Sequence, residues 1–197
     1  MERTPEPKID ERETGARPVL TVEQHRTLAP DLAAGLRRIY LEAFEPMKAR
    51  SFTRIVMTDE EWDAIVVHNE HAVKHVGWVD GELGGMLIGT NRPDLVDWVS
   101  IEFLTARFPE ALATGKLWYM MWVAVDPTLV RSGLFRRLVE DFIAESDWEV
   151  VIYDTCQVNG FVHDVVTKAM GTFEIERRPD EAPIDVETFY AWDNTRI

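Results

Sequence analysis

Large apolar side chains are almost absent from positions 1–17 and then recur with two distinct periods. The opening stretch, rich in Glu, Pro, Lys, Arg and Thr, cannot offset its own ordering entropy and is expected to be an extended or disordered tail. Val19, Leu20, Thr21 and Val22 then predict a short strand. Pro30-Asp31 opens a helix in which Leu32, Leu36, Ile39, Tyr40 and Ala43 recur at helical spacing, ending near Pro46. Thr58 with Glu61 three residues later reads as a capping box, and Trp62, Ile65 and Val66 supply the apolar face of the helix it starts. Residues 72–79, Asp80-Gly81 and 83–90 predict a hairpin, because Asp-Gly satisfies the positive φ of a tight turn.

The second half is more continuous. Leu95, Val99, Phe103 and Leu104 predict one or two short helices within 93–113, broken before Pro109. Residues 116–125 form a nearly unbroken apolar run, the pattern of a central strand covered on both faces, and it stops at Asp126-Pro127. A helix stripe of Leu134, Leu138, Phe142 and Ile143 comes next, then a buried strand over 148–153. A helix over 159–170 ended by Gly171 and two last strands at 172–176 and 187–192 complete the pattern. The expected architecture is α/β: one domain over 18–197 after the tail, with a mixed central sheet of about six or seven strands flanked by helices.

Composition narrows the partners. The net charge of −14 disfavours phosphate backbones and anionic membranes and favours a cationic substrate, although an acidic surface also serves solubility alone. The tightest basic group is Arg131, Arg136 and Arg137; Arg37 and Arg38 read as an exposed helix face. Nucleic acid and membrane are therefore excluded as expected partners, while a homodimer stays open. The single cysteine, Cys156, rules out an internal disulfide. With no apolar run of membrane-spanning length and no secretory signal at the N-terminus, a cytoplasmic location is expected.

Candidate chemistry concentrates after the long strand. A strand feeding the loop 128–133 and then a helix presents unpaired N–H groups and a positive dipole end that suit a diphosphate, though Gly133 at such a turn serves backbone geometry equally well. Asp154, Cys156 and His163 would suit a thiol nucleophile with a base, or a small buried cysteine and nothing more. His68, His71 and His75 would share a face if helical, but the hairpin strand must begin near Ala72, so no metal site is expected. The tryptophans Trp62, Trp98, Trp118 and Trp122 read as core.

The order of elements over 18–192, together with Val123-Ala-Val-Asp-Pro127 and Val130-Arg-Ser-Gly-Leu-Phe135, resembles the Gcn5-related N-acetyltransferase (GNAT) superfamily. Of the three signature positions in that family's loop only Gly133 is kept, with Val130 and Phe135 at the other two. The resemblance implies an N-acyltransferase using acetyl-CoA or another acyl-CoA, with an amine of a small molecule or peptide as acceptor. It places main chain at Val123 and Val125 along the pantetheine arm. It gives Arg131, Ser132, Gly133, Leu134, Phe135 and Arg136 to the diphosphate, and adds Asn159 to the cofactor set. It points to Tyr119, eleven residues before Val130, as a base or proton relay, and to His163 as a base or acid near the thioester. The position of the family's usual proton-donating tyrosine is Thr167 here, a poor acid, so a non-catalytic binder stays open beside the enzyme. Phe108-Pro-Glu110 weakly resembles acyl-homoserine-lactone synthases, which leaves an acyl-carrier protein open as an alternative donor.

Overall fold

The computed structural model describes residues 17–49 and 56–153. Five strands in these residues form one sheet in chain order: β1 (Leu20–His25), β2 (Ala72–Val79), β3 (Glu82–Thr90), β4 (Leu117–Val125) and β5 (Val150–Tyr153). The first four run antiparallel to their neighbours, and β5 lies parallel to β4. The two last expected strands, and all of the tail except Arg17, lie outside the described residues.

Local signals in the chain account for most boundaries. The β2–β3 hairpin turns at Asp80 and Gly81, with φ of 52° and 84°, as the Asp-Gly pair requires. Helix α1 (Pro30–Phe44) has Pro at its start and runs on as a short 3-10 turn, Glu45–Met47. At α2 (Asp59–Trp62) both halves of the capping box form: Glu61 N–H donates to the Thr58 hydroxyl at 3.2 Å, and Thr58 N–H to the Glu61 carboxylate at 2.7 Å. The helix passes into a π turn, Asp63–Val67. Helices α3 (Ile101–Arg107) and α4 (Pro109–Ala113) are separated at Phe108, where the following proline disfavours helical backbone.

The sheet is a middle layer. On one face α1 and α2 pack Leu36, Tyr40, Trp62 and Val66 against Val76, Met86, Ile88, Tyr119 and Met121. On the other, α5 (Leu134–Glu145) packs Leu134, Leu138 and Phe142 against Val73, Leu87, Trp118 and Met120. Neighbouring β4 residues thus alternate between two dry cores, which explains the lack of polar alternation in its sequence. Helix α5 approaches closely: a Cβ on Gly89 would lie 2.5 Å from Phe142 Cε2.

Two expectations need correction. Arg37 is not an exposed surface residue; it is largely buried, stacked over Trp62 at 5.1 Å, and donates to Met57 O and Asp59 at 2.9 Å each. Trp98 is not core but 55% exposed. His75 lies in β2, apart from the other histidines as the strand start at Ala72 implies: its Nδ1 meets Asp141 at 2.8 Å beside α5, while His68 and His71 are exposed. Among the described residues no cluster could hold a metal ion, and no helix is long and apolar enough to cross a membrane.

Candidate functional site

Among the described residues β4 pairs with β5 from Leu117 to Met120, the last pair being with Tyr153, and on its other edge it pairs with β3 as far as Val125. The register with β3 shifts between Ile88 and Gly89, so that Met121 is an extra residue on β4. Such a bulge bends the strand and re-aims the side chains beyond it. Met121 and Trp122 consequently both pack in the α1-side core, and Val123 returns to the α5 side.

Beyond the bulge, Asp126 N–H donates to Gly84 O at 2.8 Å, toward β3. Main-chain groups of alternate strand residues point the same way, so those of Val123 and Val125 point to the opposite edge, where no described strand pairs with β4. An extended ligand can add as a strand along an edge that no strand occupies.

The loop after β4 is built by its own polar residues. Asp126 accepts from Thr128 N–H at 2.9 Å and from the Thr128 hydroxyl at 2.6 Å, and its second oxygen lies 3.6 Å from Arg38 of α1. The Thr128 hydroxyl, with its own N–H and the Arg38 guanidinium, holds the Asp126 carboxyl below its ordinary value against the effect of burial. Asp126 is the residue sequence reasoning undervalued, since Asp-Pro read only as a strand stop. The hydroxyl two residues on was the available signal for an Asx turn.

Gly133 is the N-cap of α5, in the left-handed region at φ 89°. The first intrahelical donor is Arg137 N–H, to Gly133 O at 3.1 Å, and Leu134 N–H is taken by the Ser132 hydroxyl at 3.2 Å. Main-chain N–H groups of Phe135 and Arg136 are therefore left at the positive end of the helix dipole. The Phe135 side chain turns toward the α5-side core rather than over the helix end. Arg136 pairs with Glu140 at 2.6 Å and Arg137 lies 3.7 Å from Asp141, whereas Arg131 is exposed and makes no ion pair among the described residues.

Tyr119 is buried on the α1 side of β4, where it pairs with Ile152 of β5 and Thr90 of β3. Its hydroxyl oxygen accepts a hydrogen bond from Trp98 Nε1–H at 3.1 Å. A groove of about 490 Å³ runs along the outer face of α1, lined by Arg37, Arg38, Leu41, Glu42 and Glu45 among others, and the Arg38–Asp126 contact ties that face to the loop. Val125, the 131–136 loop and, through the Arg38–Asp126 contact, α1 lie toward one end of the sheet, whereas Tyr119 lies nearer the other, opposite Thr90 at the end of β3. His163, Asn159, Thr167, Asp154 and Cys156 lie outside the described residues.

No family model matches the chain, and no curated protein matches it in sequence. Solved structures do match in fold. An aminoglycoside acetyltransferase from an uncultured soil metagenomic sample aligns with a TM-score of 0.50 at 18% identity, covering 88% of this chain and 97% of that one. The ribosomal-protein-alanine N-acetyltransferase of Brucella melitensis biovar Abortus 2308 aligns at 0.50 and 14% identity, covering 88% and 99%. Aminoglycoside N-acetyltransferase AAC(6')-Iy, in complex with CoA, aligns at 0.52 and 12% identity, covering 89% and 95%. With five sheet strands in chain order among the described residues, the parallel β5 and the helices on both faces, this chain has the fold of the GNAT acetyltransferases.

Proposed function

We propose that this protein is an acyl-CoA-dependent N-acyltransferase that moves acetyl, or another acyl group, from the CoA thioester to an amine of a small molecule or peptide. The observation that carries this reading is the β4 edge at Val123 and Val125, unpaired among the described residues, leading directly to the open N-terminal turn of α5. An extended amide-bearing arm fits the first and a diphosphate the second. The CoA complex of a chain with the same fold, and the aminoglycoside acetyltransferases beside it, support the same donor and an amine acceptor.

In this reading the Val123 and Val125 main chain aligns the arm, and the N–H groups of Phe135 and Arg136 meet the diphosphate. Arg131 is the countercharge, because Arg136 is held by Glu140. The amine nitrogen attacks the acyl carbon, the C–S bond breaks, and the thiolate gains a proton while the new amide loses one. Tyr119, buried on β4, is the described residue we assign to relay that proton. The segment 93–113, which carries Trp98, borders Tyr119 and would help wall the acceptor site. An acyl-carrier donor is the weaker reading, since the ion pairs of Arg136 and Arg137 remove the basic patch that an acidic partner needs. A cytoplasmic location fits the single cysteine.

Titration calorimetry with acetyl-CoA tests the proposal. Saturable binding that Arg131→Glu weakens by about tenfold, without a change in melting, is the expected result. No heat at millimolar ligand would remove the assignment.

A further inference from the structure

We propose that the exposed side chains of the 95–103 stretch, the Trp98 indole foremost, form a docking platform for the acceptor, and that they fit a primary ammonium carried on an apolar or aromatic body. The inference rests on the acyltransferase reading and names the class of amine which that reading leaves open.

The stretch is held from beneath. The Thr90 hydroxyl donates to His71 O at 2.9 Å and accepts from Arg92 N–H at 3.0 Å, which anchors the chain as it leaves β3. Val96 is buried, Val99 N–H closes a turn onto Val96 O at 3.0 Å, and Val99 and Ile101 pack against the cluster around Leu104. With these side chains turned inward, Leu95, Trp98 and Phe103 are left outside at 45%, 55% and 39% exposure, against only Val19 and Val130 elsewhere among the described residues. Exposed apolar groups gathered on one stretch mark an interaction site, whereas single ones need no explanation. The Trp98 ring is also fixed in place, because its N–H donates to the Tyr119 hydroxyl at 3.1 Å. A ring tethered at its polar atom keeps its apolar surface presented, and ordering it on binding costs little.

Charge decides what this platform takes. Arg92, at the start of the stretch, is consumed by Asp94 in contacts of 2.7 and 2.8 Å. Asp97 and Glu102 are exposed and make no ion pair or side-chain hydrogen bond among the described residues. The surface is thus apolar with uncompensated negative charge, on a chain of net charge −14. An indole face attracts a cation, and carboxylates draw one in from solution. A primary amine is ammonium at neutral pH, and an apolar body beside it covers side chains that a polyhydroxylated polycation would leave wet. Position agrees with this role. With the diphosphate at the start of α5 and the arm along Val125 and Val123, the acyl end points back along β4 toward Met121 and Tyr119, the end to which Trp98 is tethered.

The test uses the full chain labelled at its indole nitrogens, the Trp98 N–H signal in NMR being assigned by its loss in Trp98→Phe. Phenethylamine at neutral pH should shift that signal saturably, whereas ethylamine, which lacks the body, and phenylethanol, which lacks the charge, should each bind about tenfold more weakly. In acetylation of phenethylamine, Trp98→Ala should raise KM for the amine about tenfold with KM for acetyl-CoA unchanged. Trp98→Phe, which keeps a flat apolar face without the N–H, should stay close to the parent. An unmoved Trp98 signal in a chain that binds acetyl-CoA overturns the inference and leaves the acyltransferase reading standing. Equal binding of phenylethanol and phenethylamine overturns it as well. A dimer in sedimentation that Trp98→Ala dissociates assigns the surface to a second copy of the chain and overturns the acceptor role. A chain that binds no acetyl-CoA removes the acyltransferase reading and the acceptor role together.

Discussion

Gly133 illustrates how one backbone angle can carry a residue's importance. From the sequence, a side chain there would either project into the diphosphate space or demand a different backbone angle. The structure shows room: the nearest atom to an added Cβ is Leu20 Cδ1 at 3.8 Å. The constraint is instead φ at 89°, which L-residues rarely adopt. Gly133→Ala should therefore cost about 1 kcal/mol in urea denaturation, and Gly133→Asn less, because asparagine tolerates the left-handed region. Strain must be separated from charge to test the site. Gly133→Glu and Gly133→Gln share the backbone penalty, so a greater loss of acetyl-CoA affinity in the glutamate variant, measured by calorimetry, would report repulsion of a bound diphosphate. Equal affinities would place the diphosphate elsewhere.

At the scale of elements, the close seat of α5 on the sheet matters most, because that helix carries the candidate site at its start. Phe142 lies where a side chain on Gly89 would go, and Trp118 and His75 contact its ring edge-on at centroid distances of 5.8 and 5.6 Å. The ring is thus boxed in and has little room to give. Gly89→Ala should destabilise the fold by about 1–3 kcal/mol in chemical denaturation and lift α5 from β3. An unchanged midpoint would mean that Phe142 re-seats freely. The bulge in β4 is invisible in the sequence, because an unbroken apolar run from Leu117 to Val125 shows no phase at which an extra residue would stand out. The hairpin, the capping box and the break before Pro109 are legible because each rests on backbone chemistry confined to a few neighbouring residues.

For the molecule as a whole, two buried basic groups make stability rise with pH. Lys74 is fully buried and donates to Arg26 O at 2.6 Å and Asn69 O at 2.5 Å. Burial, helped by Arg26 and opposed by Glu70, pushes its ammonium from 10.5 down to about 8. Burial likewise lowers the His75 imidazolium, outweighing its Asp141 hydrogen bond. In both cases the unfolded chain binds more protons than the folded one between the two pKa values. Stability must therefore rise with pH across that window and fall again as pH drops through it. For Lys74 the window runs from about 8 to about 10.5, with a slope of at most about 1.4 kcal/mol per pH unit. Lys74→Met should remove this rise in denaturation midpoints measured through alkaline pH, while lowering stability overall because two carbonyls lose their donor. A slope that survives the substitution would assign it to another group.

The amino-acid sequence by itself determined the element order as far as β5, the turn at Asp80-Gly81, the helix starts and the two-faced burial of β4, because these depend on periodicity and local backbone chemistry. It also pointed to the stretch from Tyr119 to Arg136. Tertiary structure alone decided that β4 carries a bulge at Met121, that Arg136 is taken by Glu140 while Arg131 has no ion pair among the described residues, and that Trp98 reaches Tyr119. Those outcomes depend on pairing register and on contacts between residues distant in the chain. A one-dimensional pattern does not encode them, because the same apolar or charged residue fits many partners until the sheet fixes which one it meets.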